Sequence, residues 1–179
     1  MPKVLLVVAH PDLAESTANA ALVEAVRDLP HVTVHDLYAT YPDFQIDVDA
    51  EQALLAEHDV IVFQHPVFWY NTTPLLKHWQ DTVLTLGWGF TIDGSASKLA
   101  GKKAIVAVTA GVPQDHYTPE GQNGITLEAL LSNWRATLRL CQFDILPMVT
   151  LYGTAFGLPE EDLTLAAKQY QELLGSFAA

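Results

Sequence analysis

The sequence predicts a doubly wound α/β fold, a five-stranded, mostly parallel sheet with helices on both faces. Three observations carry the prediction. Runs at residues 4–9, 60–64 and 104–109 are almost continuously apolar and rich in β-branched residues, the composition of strands covered on both faces. Segments with helical apolar spacing alternate with the strands, five of each along the chain, as right-handed crossovers between parallel strands require. The loops after strands one, three and four are rich in polar, aromatic or glycine residues. In such sheets ligands collect beyond the carboxyl ends of strands, where the strand order reverses.

Each element has its own local reason. The first strand, residues 4–9, stops at His10-Pro11-Asp12. Ser16 or Thr17 caps a helix whose apolar positions Ala21, Leu22, Ala25, Val26 and Leu29 share one side. Residues 32–37 read as a second strand, and a polar loop through Tyr41-Pro42-Asp43 leads to a short helix at 50–57. The third strand at 60–64 ends in His65-Pro66. Pro74 opens a helix expected to run to 86, with Leu75, Leu76, Trp79, Val83 and Leu86 inward. A loop containing Trp88, Phe90 and Asp93-Gly94 precedes the fourth strand, 104–109, and a helix is expected over 126–140. The fifth strand, 145–152, contains Pro147, which places it at an edge or disturbs its start. Pro159 opens the last helix, with Glu160, Glu161 and Asp162 in the first turn, where the helix dipole favours acids.

The 179 residues suit one domain, 1–179, and half of them are hydrophobic. The net charge of -12 repels a phosphate backbone, so no nucleic-acid partner is expected. A lone cysteine, Cys141, excludes an internal disulfide framework and fits a reducing cytoplasm; it reads as a buried structural thiol. The first apolar run is too short for a membrane span, and Pro11-Asp12 follows it rather than a cleavage site.

The three loops hold the candidate chemistry. AHPDLAESTAN places His10, Ser16, Thr17 and Asn19 at or before a helix start, which is either an anion site or an ordinary cap. GxGxxG and GxxxxGK[ST] are both absent, which disfavours a Rossmann dinucleotide site and excludes a P-loop. AHPD also resembles the opening of zinc-dependent N-acetylglucosaminyl deacetylases. However, Leu13 replaces the second aspartate and only His10 and Asp12 stand out as ligands, so no metal site is expected. In HPVFWY, rings and main-chain donors suit a flat heterocycle; the alternative is core packing. In TAGVPQDHYTPEGQNG, Tyr117 and His116 are proton or hydrogen-bond donors or simply members of a solvated loop. His31, His35, His58 and His78 read as surface residues, and Trp79 as core.

Taken together, VVAHP, STAN, LYATYPDFQID, VFQHPVFWYNTTPLLKHWQDTVLTLGWGF and VTAGVPQDHYTPEG resemble the flavodoxin-like NAD(P)H:quinone oxidoreductases. More specifically, they resemble the short branch that includes the ancillary proteins of glutathione-gated potassium-efflux systems. The resemblance implies a flavodoxin-like fold and a flavin, FMN or alternatively FAD. It also implies NAD(P)H as co-substrate and two-electron hydride transfer through flavin N5 to a quinone or similar electrophile, with ping-pong kinetics. His10, Ser16, Thr17, Ala18 and Asn19 would hold the flavin phosphate. Pro66 precedes Val67, Phe68, Trp69 and Tyr70, which would line the ring with backbone N–H groups and side chains, and Thr109, Ala110, Gly111 and Val112 would close its other edge. Tyr117 matches a family tyrosine beside the flavin carbonyl edge. Asn123 stands where many members have histidine, with His116 near in sequence, and Val112 replaces a usual glycine. The resemblance further implies a homodimer completed near Trp88, Phe90 and the Tyr117 loop, taken as exposed. Its other implication is a regulatory subunit docked on a potassium-efflux transporter at the inner membrane face.

Overall fold

The computed structural model describes residues 1–178. Strands β1 (Val4–Val8), β2 (Val32–Asp36), β3 (Val60–Pro66) and β4 (Lys103–Thr109) pair in parallel, and β5 (Asp144–Ile145) and β6 (Val149–Leu151) both pair with β4. The order β2-β1-β3-β4-β5 is the flavodoxin-like doubly wound arrangement.

Alternation along the strands builds two cores. Val4, Leu6, Val8, Val60, Val62, Ile105 and Ala107 face α1 (Thr17–Val26) and α7 (Glu160–Gly175). Leu5, Val7, Ile61, Phe63, Val106 and Val108 face the opposite side. There they meet Leu37 from α2 (Leu37–Thr40), Leu55 from α3 (Val48–Glu57) and Trp79 from α4 (Pro74–Val83). Leu127 from α5 (Leu127–Leu130) and Trp134 from α6 (Ser132–Leu140) complete this layer.

Four expectations change. The α4 helix ends at Val83 rather than 86, because the chain folds back immediately afterwards: a Cβ on Gly89 would sit 2.8 Å from the Leu84 Cα. The helix expected over 126–140 is two, divided at Leu131 (φ -93°, ψ 22°). Leu127, Leu131, Trp134 and Leu138, spaced as on one helical face, all reach one core across the division. The fifth strand is interrupted between Ile145 and Val149 around Pro147. His31 and His58 are buried rather than on the surface. His31 Nε2 lies 2.9 Å from the Leu174 carbonyl while its Nδ1 is buried without a partner, and His58 lies 2.7 Å from the Leu54 carbonyl and 3.0 Å from the Thr33 hydroxyl, so both of its ring nitrogens are paired. His78 is exposed and His35 half-buried, while Trp79 and Cys141 are buried as expected.

A buried carboxylate ties the layer beneath the site. Glu51 accepts hydrogen bonds from Tyr41 Oη (2.7 Å) and Trp79 Nε1 (2.7 Å), and lies 2.8 Å from His35 Nε2. Burial pushes the Glu51 carboxyl up, but His35, then Tyr41 and Trp79, outweigh it and hold the group below its usual range.

Candidate functional site

The loops after β1, β3 and β4, with the segment after β6, enclose a two-chambered cleft at the carboxyl edge of the sheet. The larger chamber, ≈ 390 Å³, is lined by His10, Ser16–Asn19, Pro66, Val67, Phe68, Thr109 and Gly111, together with Glu15, Thr154 and Ala155. The smaller, ≈ 190 Å³, is lined by Val67, Trp69, Tyr70, Gly111, Val112, Tyr117 and Asn123. Val67 and Gly111 belong to both walls and join the chambers. Glycine leaves that junction roomy: a Cβ on Gly111 would come within 3.2 Å of the Ala155 Cβ, a tight contact.

Ser16 shapes the larger chamber. Its hydroxyl caps α1 by accepting the Asn19 N–H at 3.2 Å. Among the described residues, the Thr17 and Ala18 N–H groups of the first turn have no protein partner and are free for an anion. The buried Asn19 amide donates to the Thr109 hydroxyl (2.9 Å), and the fully buried Gln64 amide donates to the Asn19 carbonyl (3.1 Å). His10 Nδ1 accepts the Asp12 N–H (3.1 Å), so the neutral ring carries its proton on Nε2; burial lowers its pKa and favours that neutral form. Glu15 is an exposed acid on this wall and opposes an anion.

The aromatic loop is a tight hairpin. Phe68 and Asn71 exchange both backbone hydrogen bonds, 2.9 and 3.0 Å. Trp69 (φ 45°) and Tyr70 (φ 63°) occupy the two central positions, which require positive φ and favour Asn-Gly. Large side chains there are strained by an amount on the order of 1–2 kcal/mol each. The hairpin also revises the expected donors: Val67 N–H is used by the Thr109 carbonyl (2.8 Å) and Phe68 N–H by Asn71. Among the described residues, the loop's N–H groups without protein partners belong to Trp69 and Tyr70. The Trp69 side chain is 93% exposed.

Below the hairpin, the fully buried His65 anchors the end of β3. Its Nε2 accepts the Trp134 indole N–H at 3.0 Å, so Nδ1 carries the proton and donates to the Pro66 carbonyl at 2.8 Å. Burial lowers the pKa of this histidine to about 4.

Across the smaller chamber, Tyr117 is buried against Tyr152, with its pKa raised by burial and then by Tyr70 and Tyr152. Asn123 Oδ1 accepts the Tyr70 hydroxyl at 3.2 Å, and its Nδ2 is buried without a protein partner. The loop holding both residues is folded tightly: a Cβ on Gly121 would collide with the Asp115 carbonyl oxygen. His116 lines a neighbouring depression with Pro113, Tyr152 and Phe156 rather than either chamber. Ala110 turns its side chain into the core, and its backbone is bonded to Leu151 and Thr154. Trp88 and Phe90, expected to be exposed, are half-buried against the core; Ile92 and Leu86 are the exposed apolar residues of that segment.

Sequence reasoning missed Glu15, Gln64, Thr154 and Ala155. A glutamine inside an otherwise apolar strand was a visible signal for Gln64. Thr154 and Ala155 follow a strand whose division hid its carboxyl end. No group of three or more metal-ligating side chains occurs among the described residues.

This sheet order and the cleft at its carboxyl edge define a flavodoxin-like protein, and a family model described as flavodoxin-like fold matches residues 2–174. The chain belongs to that family, within its NAD(P)H:quinone oxidoreductases. It is 44% identical over 175 residues to the glutathione-regulated potassium-efflux system ancillary protein KefG of Pectobacterium carotovorum subsp. carotovorum, covering 98% of this chain and 94% of the relative. Among solved structures, general stress protein 14 of Treponema denticola in complex with FMN matches with a TM-score of 0.89 and 37% identity, over 98% of this chain and 99% of that one. An NADPH-quinone reductase from P. pentosaceus matches with a TM-score of 0.84 and 26% identity, over 96% of each chain.

Proposed function

We propose that the protein is a flavin-dependent NAD(P)H:quinone oxidoreductase with FMN in the two-chambered cleft. The carrying observation is the fit of the cleft to a flat ring with an anionic tail. One chamber offers the free Thr17 and Ala18 N–H groups; the other offers the free Trp69 and Tyr70 N–H groups and the unpartnered Asn123 amide, and the Gly111 opening joins them. The FMN complex of the Treponema relative supports FMN over FAD. When bound, flavin supplies the two-electron chemistry: hydride from NAD(P)H to N5, then to a quinone or similar electrophile in a separate, ping-pong half-reaction.

The chain's own residues bind and orient. Thr17 and Ala18 donate to the phosphate, with His10 Nε2–H as a third donor, and the Asn19–Thr109 bond holds that wall in register. The hairpin presents N–H groups and the Phe68 and Trp69 rings. Tyr117 and Asn123 direct hydrogen-bond donors at the edge where negative charge develops, an oxyanion-type stabilisation that does not depend on a titrating histidine. The exposed Phe68, Trp69 and Tyr70 rings suit completion of the smaller chamber by a second copy in a homodimer.

The test is direct. Purified protein binds FMN, shows oxidised-flavin absorbance, and turns over quinone with NADH or NADPH. A protein that stays colourless with added FMN and FAD refutes the reading. A second reading, a regulatory subunit of a potassium-efflux transporter at the inner membrane face, is favoured by the KefG likeness. No helix among the described residues is long and apolar enough to cross a membrane. Stable capture on the transporter together with negligible quinone turnover would select that second reading.

A further inference from the structure

A second chamber lies on the far side of β4, between α6 and the interrupted edge strand. Its origin is in the strand register. Ala104 pairs with Ile145 and Ala107 with Val149, so two residues of β4 face three on the edge. The extra residue is a bulge containing Pro147, and a bulge bends its strand. The resulting space is ≈ 690 Å³, within the size range of small-molecule sites. Its floor and walls are apolar, with Val106, Leu131, Trp134, Leu138, Phe143 and Met148.

The rim is charged in a specific way. Arg135 and Arg139 stand one turn apart on α6, and they are two of only three arginines in a chain of net charge -12. Neither guanidinium has an ion-pair or hydrogen-bond partner among the described residues. The four ion pairs involve Arg27, His35, Lys77 and Lys168 instead. Glu128 and Asp144 complete the rim and disfavour a second acidic group on any occupant.

The groove shares one residue with the support of the cleft. Trp134 lines the groove and donates its indole N–H to the fully buried His65, which holds the Pro66 carbonyl directly before the hairpin. Its ring stacks on His65 with centroids 5.6 Å apart and an interplanar angle of 24°. A ligand packed on Trp134 therefore bears on the pair that fixes the end of β3.

We propose that this groove binds a small amphipathic anion, an apolar body bearing one carboxylate, and that Trp134 and His65 carry its occupancy to the cleft. The apolar body lies along Ile145, Leu146 and Met148 and meets the small exposed part of Trp134, and the carboxylate sits between Arg135 and Arg139. The pair of guanidiniums suits a carboxylate better than a lysine rim would, because each presents a planar fork of donors.

The probe is decanoate, with decan-1-ol as its uncharged counterpart, titrated calorimetrically into the purified full chain. Decanoate binds about tenfold tighter than the alcohol, the effect of a charge-assisted contact. The double variant Arg135→Gln/Arg139→Gln erases that difference, as does Ile145→Glu, which adds a repelling charge at an exposed wall position. In heteronuclear spectra decanoate shifts the Trp134 indole N–H and the His65 ring N–H, leaving the indoles of Trp69 and Trp88 in place. Equal affinity for acid and alcohol in the wild type overturns the proposal. So does undiminished decanoate binding in both variants, or a set of shifts confined to Trp69 or Trp88. None of these readouts uses flavin or turnover, so failure here and failure of the oxidoreductase reading are separate results.

Discussion

Replacing Trp69-Tyr70 by Asn-Gly is expected to make the cofactor-free protein more stable and its cleft worse. Both residues hold positive φ, 45° and 63°, at the centre of a two-residue hairpin. Each L-residue in that region costs about 1 kcal/mol at the low end, so the turn stores roughly 2 kcal/mol. Asn and Gly release most of it. Against this, glycine's extra freedom in the unfolded chain returns about 0.5 kcal/mol. Loss of the half-exposed Tyr70–Asn123 hydrogen bond returns about 0.5 kcal/mol more. A net gain of about 1 kcal/mol corresponds to a rise of roughly 2–4 °C in Tm for a chain of this length. The same change removes the Trp69 ring and releases Asn123, so FMN affinity should fall about tenfold. Thermal denaturation of cofactor-free protein and a fluorescence titration with FMN measure both effects. A lower Tm together with unchanged FMN affinity would refute the reasoning: the turn would then be neither strained nor part of the site.

Two further predictions concern the support beneath the cleft. His65 has a folded-state pKa of about 4 against 6.5 unfolded, so its contribution is fully present above pH 6.5 and is lost as pH falls to 4. That window holds about 3 kcal/mol, and His65→Gln should flatten this part of the stability–pH curve measured by urea unfolding; parallel curves for the two proteins would place the buried proton elsewhere. Glu51→Gln leaves an amide N–H₂ facing a buried donor where a carboxylate oxygen stood. It should cost about 2–3 kcal/mol and lower Tm by roughly 5–10 °C, and an unchanged Tm would remove the Glu51 cluster from the account of stability.

The strands were legible because a buried parallel strand has one composition: β1, β3 and β4 stand in the sequence as valine-rich runs and lie where they were expected. The α1 cap was legible because Ser16 has a local reason to end the preceding chain. The divisions at Leu131 and around Pro147 were not equally plain. Nothing local marks a break at Leu131: the apolar spacing of Leu127, Leu131, Trp134 and Leu138 runs through it unbroken and reads as one helix. Pro147 announced a disturbance, but a bulge is a relation between two strands, and only the register with β4 reveals the extra residue. His31 and His58 were misread because distant partners bury them: His31 meets the Leu174 carbonyl and His58 the Thr33 hydroxyl, contacts that only the folded chain makes.

The positions that defy local expectation are themselves informative. A Trp-Tyr pair where Asn-Gly belongs, a histidine fully buried at a strand end, a glutamine within an apolar strand and an amide left without a partner are four separate departures. Each costs stability, and scattered over the surface they would each ask for a separate explanation. Instead Trp69-Tyr70, His65, Gln64 and Asn123 all gather at the carboxyl end of β3 and the loop facing it. Comparable departures occur elsewhere, with positive φ at Phe44 and Gln142 and unpartnered buried atoms on His31 and Tyr170, but these four meet at one strand end, and their convergence on the cleft is what sets that edge apart. The aromatic triad is thus better understood through its backbone than through its rings. Its unfavourable φ angles turn the Trp69 and Tyr70 N–H groups away from pairing partners, which an Asn-Gly turn would also do, but only the large side chains add the Asn123 contact and the exposed indole.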